Sequence, residues 1–201
     1  QRKEADAFNA YWKQQLDLVT QRLAAKKPAR PTVFLENRVG LSEGCCDTMV
    51  GLVGMLLDAA GGQNVARGLI PGEFGTLNPE FLIAKQPRFY IGTGIGSMAT
   101  VDKTPMRIVL GASATPEAAK ASLARATQRR GINQLQAVKE GRAFAVWHHF
   151  YNSPFNVAAV QAFAKWMHPE LFADLDPHAT LQTFYTRFQP IPLNGVYWTG
   201  M

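Results

Sequence analysis

"NPEFLIAKQPRFYIGTG", from Asn78 to Gly94, carries a helix entry, a helix and a strand in immediate succession. Asn78 is a residue type whose side-chain oxygen caps free backbone N–H groups. Pro79 already has the φ of a first helical position, and Glu80 stands where the helix dipole favours an anion. "RFYIG" then reads as a short apolar strand that runs into Gly92, Gly94 and Gly96.

Working outward, the same grammar recurs. A long helix is expected over Lys3–Ala25, where Phe8, Trp12, Leu16, Val19 and Leu23 recur at spacings of three and four. It stops at "KKPARP", because Pro28 and Pro31 cannot continue a helix. "TVFLE" (Thr32–Glu36) is a strand, and "DTMVGLVGMLLDAAGG" from Asp47 reads as a helix closed by two glycines. "RIVLGAS" from Arg107 and "AFAVWH" from Ala143 are two further expected strands. Thr115-Pro116-Glu117, Ser153-Pro154 and Asp176-Pro177 open three more expected helices. Strands alternating with helices give an α/β domain, with a mostly parallel central sheet covered on both faces.

Composition sets the outer bounds. A chain of 201 residues with 47% hydrophobic content buries at least one sizeable core, and no apolar run approaches the ~18 residues of a membrane helix. The opening residues, "QRKEADAFNAYW", are polar and amphipathic and show no export leader. The net charge of +6 reads first as a solvated basic surface and, more sharply, as suited to an anionic partner. Nucleic acid is not expected, because the cations (Arg2, Lys26, Arg88, Arg129 and Arg142 among them) are scattered and form no basic helix. The two cysteines are the neighbours Cys45 and Cys46, which make neither a CxxC redox motif nor a zinc knuckle. A vicinal disulfide, a bridge outside the chain and two small buried side chains all remain open.

Two loops are candidates for chemistry. The glycine loop is spaced GxGxG rather than GxGxxG, and the following "SMATVDKTPM" has no helical period. A pyrophosphate would therefore lack the helix N-terminus that usually holds it. A flavin- or nucleotide-binding enzyme is accordingly the weakest reading. The second loop, "VWHHFYNSP" (Val146–Pro154), places Trp147, His148, His149 and Tyr151 after a strand, at the sheet edge where α/β proteins bind ligands. A haem- or metal-binding module using His148 and His149, with Cys45 or Cys46, is an alternative, although no acid stands at ligand spacing. His168 and His178 read as capping or packing residues. No GxSxG elbow surrounds Ser42, Ser97, Ser113, Ser122 or Ser153, and nothing pairs Glu36, Glu43, Glu73 and Glu80 as acid and base. No catalytic residue and no resident cofactor or metal are expected.

Several segments together resemble one family. "DAAGGQNVA", "NPEFLIAKQPRFYIGTG", "LQAVKEGRAFAVWHHFYNSP" and "AKWMHPELFADLDP" follow, in order and spacing, the pattern of substrate-binding proteins of ABC importers for ferric siderophores, haem and cobalamin. The resemblance covers the chain from Pro31 onward. It implies two Rossmann-like three-layer lobes joined by a long rigid helix, with ligand in the cleft between them. Residues 1–30 would then be the bridging helix and linker and 31–201 the C-terminal lobe, with the N-terminal lobe missing. It also implies a non-enzymatic, periplasmic or lipid-anchored receptor that delivers a ferric siderophore or related iron complex to the membrane permease. Glu80 matches the glutamate that docks on permease arginines. Arg38, Thr93, Ser97, Trp147, His148 and Tyr151, with Asn37, would face the ligand.

Overall fold

Side-chain parity along three parallel strands sorts the core into two layers. In the computed structural model, which describes residues 2–201, β1 (Thr32–Glu36), β5 (Phe89–Gly94) and β6 (Ala143–Trp147) lie side by side and parallel. Successive strand residues point to opposite faces. Val33 and Leu35, Phe89 and Ile91, and Val146 pack into one cluster, while Phe34, Tyr90, Ala143 and Ala145 pack into the other.

The first face is covered by α1 (Arg2–Lys26), α2 (Val53–Ala59), α6 (Val157–Met167) and α7 (Pro177–Phe188). The second is covered by α3 (Pro79–Lys85), α4 (Pro116–Thr127) and α5 (Gln136–Lys139). This is the expected three-layer α/β lobe. The sheet is completed by β2 (Asp47–Met49), β3 (Gln63–Asn64), β4 (Phe74–Thr76) and β7 (Trp198–Gly200), in the order β4-β2-β1-β5-β6-β7 with β3 also on β1. β3 runs parallel to β1, whereas β2, β4 and β7 run antiparallel to their neighbours. These short strands close the open edges of the parallel core.

The long first helix docks along the lobe. Val19 is fully buried, Trp12 donates its indole N–H to Asn156 Oδ1 at 2.9 Å, and Arg22 holds both oxygens of Asp174 at 2.5 and 2.7 Å. Phe8 packs among Phe155, Phe184 and Phe188, its ring tilted to the first two and edge-on to the third. The opening helix is thus packed on α6 and α7.

Helix entries at Asn78, Thr115 and Asp176 form as expected, each side chain accepting a backbone N–H of the first turn. Three expectations change. The helix expected from Asp47 is split, because Asp47–Met49 pairs with both β1 and β4 before a shorter helix begins at Val53. Exposed strand edges outweigh the helical pattern there. Arg107–Ser113 makes no ladder strand; Val109 bridges Gly96 and Gly111 bridges Val196. Its apolar residues Ile108, Val109 and Leu110 are buried by crossing the end of β5 rather than by pairing along it. Ser153-Pro154 does not open α6. The Ser153 hydroxyl accepts the Phe155 N–H at 3.1 Å within a turn, after a 3-10 stretch over His148–Asn152, and the helix starts at Val157.

Candidate functional site

The parallel register brings the carboxyl ends of β1, β5 and β6 level, pairing Glu36 with Gly92 and Gly94 with Trp147. Thr93 is the hub between them. Its side chain is fully buried, its Oγ1 accepts the Arg38 backbone N–H at 2.7 Å, and it lies 3.1 Å from His148 Nδ1. The Val39 N–H adds a bond to the Thr93 carbonyl at 3.0 Å. Thr93 therefore positions two loops and does not face solvent.

What these loops present is Arg38, exposed and with φ of 46°, beside the exposed ring of His149 and the half-buried phenol of Tyr151. The His148 ring centroid lies 5.3 Å from that of His149 and 5.2 Å from that of Tyr151. His148 is buried, and burial, with His149 and Arg38 as neighbouring positive charges, lowers its pKa to about 4. It is neutral at physiological pH, with the fixed positive charge of Arg38 close by. Trp147 is half-buried, edge-on to Phe150 and Tyr197. Ser97 caps a short 3-10 turn, its hydroxyl 3.1 Å from that of Thr100. So Arg38, Thr93, His148 and Tyr151 come together, Trp147 supports them from the packing side, and Ser97 is occupied by its own turn. Asn37 is buried at the same edge, its Oδ1 without a protein hydrogen-bond partner. The exposed side chains of Leu41, Met98 and Met106 belong to the same loops.

The glycine loop has an internal explanation. A Cβ on Gly94 or on Gly96 would lie 2.9 Å from the Ile108 carbonyl oxygen, and one on Gly92 would meet Val39, Ile108 and Tyr90. These glycines admit the crossing segment of the chain itself. The next residues form a 3-10 turn over Met98–Thr100, and the following α-helix begins only at Pro116. This loop does not form a phosphate cradle.

Beneath the site lies a network that the sequence did not disclose. Glu36, for which the sequence offers no acid–base partner, is the buried last residue of β1. Arg129 donates to its two oxygens at 2.9 and 2.6 Å, and Tyr90 donates its hydroxyl at 2.6 Å. Burial, reinforced by Glu36, raises the Tyr90 pKa well above its ordinary value. The partners lie 54 and 93 residues away along the chain, so no local pattern marks them. Arg129 also donates to the Gly44 carbonyl at 3.1 Å. Cys45 and Cys46 are joined to each other, which decides among the three open readings and removes their thiols from the metal alternative. Among the described residues, no three His, Cys, Asp or Glu side chains converge on a metal position.

Glu80 is exposed in the first turn of α3, its N–H held by Asn78 Oδ1 at 2.8 Å. At the opposite end of the strands, an open cavity of about 730 Å³ is lined by Lys26, Arg30, Arg88, His168 and Glu170 among others. Its size does not make it the ligand site, since it lies against the entry of β1 and β5, away from the carboxyl-end loops.

Among solved structures, the chain matches the TroA-like periplasmic binding protein FepB from Veillonella parvula, with 28% identity and a TM-score of 0.88 over 98% of this chain and 56% of that one. The chain has the fold of one lobe of a TroA-like periplasmic binding protein. Helicobacter pylori CeuE in a nickel–histidine complex aligns over 93% of this lobe and 53% of its own length, with 14% identity and a TM-score of 0.67. The molybdate-bound MolA of Haemophilus influenzae aligns over 94% and 52%, with 16% identity and a TM-score of 0.63. The lobe therefore spans little more than half the length of these structures. The first and the third of them are periplasmic binding proteins. No protein-family model and no curated protein matches the sequence. No helix among the described residues is long and apolar enough to cross a membrane.

Proposed function

We propose that the lobe is part of a periplasmic solute receptor for an ABC importer, and that its ligand is an anionic iron complex, foremost a ferric siderophore. The observation that carries this reading is the 28% identity to FepB across nearly the whole lobe, with Arg38 exposed at the carboxyl ends of its parallel strands. Arg38 pairs carboxylate or catecholate oxygens by charge-assisted hydrogen bonds. His149 and Tyr151 supply further polar contacts, and Leu41, Met98 and Met106 give an apolar rim for an organic chelator. Residues 1–30 are the bridging helix and linker, residues 31–201 are the C-terminal lobe, and a second lobe provides the other wall of the cleft. Glu80, exposed in the first turn of α3, docks on arginines of the permease.

Titrating the chain with ferric catecholate and hydroxamate siderophores, haem, nickel–histidine and molybdate, with tryptophan fluorescence as the readout, tests this. Quenching by a ferric siderophore that is lost in Arg38→Ala is the expected result. Affinity should be weaker than about micromolar, because one wall encloses little of the ligand. Submicromolar binding contradicts the half-cleft, and response to molybdate or nickel–histidine alone overturns the iron assignment.

A further inference from the structure

The Cys45–Cys46 disulfide stands between the ligand loop and the entry of α3. On one side, Arg129 holds the Gly44 carbonyl and the Glu36 carboxylate, so the segment from Glu36 to Gly44 is anchored at both ends. On the other, the Cys46 carbonyl accepts the Leu77 N–H at 3.0 Å, one residue before the Asn78 cap. Asp47 adds a second tie, accepting from Ser42 Oγ at 2.8 Å and from Thr76 Oγ1 at 2.7 Å. Cys45 Sγ and Pro79 also converge on Gly131, where a Cβ would meet them at 3.4 and 3.3 Å. Arg38 and Glu80 thus sit at the two ends of one short run of contacts.

We propose that the Cys45–Cys46 disulfide is a positioning element that fixes the entry of α3, and with it Glu80, relative to the ligand loop. Cys46 has φ of 107°, a region that L side chains rarely occupy. The covalent ring holds it there, and with it the carbonyl that receives Leu77. When the ring opens, Cys46 returns to a common backbone region and its carbonyl leaves the Leu77 N–H. Opening is a two-electron reduction. A thiolate of a dithiol attacks the half-buried Cys45 sulfur, the S–S bond breaks with Cys46 sulfur as leaving group, and the second thiol displaces Cys45. Two cysteine thiols and a cyclic disulfide of the reductant result. The consequence for transport rests on the docking reading of Glu80; the structural tie does not.

Hydrogen exchange of the 201-residue chain tests the tie, with and without dithiothreitol, free thiols being counted to establish that the bond is open. The Cys45→Ala/Cys46→Ala double variant is the second arm. The expected result in both arms is exchange about tenfold faster at the Leu77 and Glu80 amides, with β5 still protected. Faster exchange confined to residues 44–47, or unchanged exchange in the thiol-verified reduced chain, overturns the proposal. Uptake that survives Glu80→Gln in the two-lobed receptor would end the docking reading and leave the exchange result standing.

Discussion

Arg129 reaches from the loop after α4 to close on both carboxylate oxygens of Glu36, at 2.9 and 2.6 Å, with neither side chain more than 9% exposed. The pair locks the end of β1 to the second core layer directly under the loop that carries Arg38. Arg129→Met leaves the Glu36 carboxylate buried with only Tyr90, and should cost about 3–5 kcal/mol in urea unfolding. The double variant Glu36→Leu/Arg129→Met should lose less than the two single variants added together, because no lone charge stays buried. A fully additive cycle would show that the two residues do not act as a pair.

Thr93 separates positioning from ligand contact. Thr93→Val keeps the shape but removes the acceptor of the Arg38 N–H and the partner of His148, an expected loss of about 1–3 kcal/mol. Thr93→Ser keeps the hydroxyl and should lie much closer to the parent. Chemical denaturation of the three proteins decides between this role and simple packing, for which Ser would be the worse substitution.

The buried His148 predicts acid sensitivity with a defined sign. Its folded pKa of about 4 lies below the ordinary 6.5, so the unfolded chain binds the proton first as pH falls. The stability that the neutral ring contributes is complete above pH 6.5 and is lost between 6.5 and 4. Down to pH 4.5 the loss should be roughly 2–3 kcal/mol. Unfolding at pH 7 and 4.5 should show a smaller difference in His148→Gln, since carboxylate titration is common to both proteins. An equal difference in the two would mean that His148 is not buried neutral.

Gly195 tests the tie between the last segment and the crossing segment. Its φ is 83°, and a Cβ there would lie 2.1 Å from the Gly111 carbonyl oxygen. Gly195→Ala should cost about 2 kcal/mol, read as a fall in Tm of roughly 4–8 °C. An unchanged melting temperature would show that the Gly111–Val196 bridge yields easily.

Much of this was legible because it is local. Asn78, Thr115 and Asp176 each announce a helix by a side chain that reaches its own first turn, and β1, β5 and β6 are continuous apolar runs suited to burial on both faces. β2 was read as helix, since three residues carry no period and only the edges offered by β1 and β4 make them a strand. At the site, the loops bearing Arg38, His148 and Tyr151 were placed by following strand ends. Thr93 was assigned to the ligand because burial does not show in a residue's type. His149, the more exposed imidazole, is placed by the sequence on the ligand-edge loop and in the metal alternative, but not among the residues expected to face the ligand.

The glycines at 92, 94 and 96 mark the division most clearly. From sequence alone, their spacing and the missing helix argued against a phosphate cradle, because both are properties of contiguous residues. That they admit Ile108 beside β5, that Glu36 is paired with Arg129 and hydrogen-bonded by Tyr90, and that Cys45 bonds Cys46 beside Pro79 were decided by the tertiary structure. Each of these depends on which distant segments the sheet order brings within a few ångströms. Secondary-structure grammar acts over a turn of helix or a strand, whereas these contacts join residues tens of positions apart, and only packing selects them.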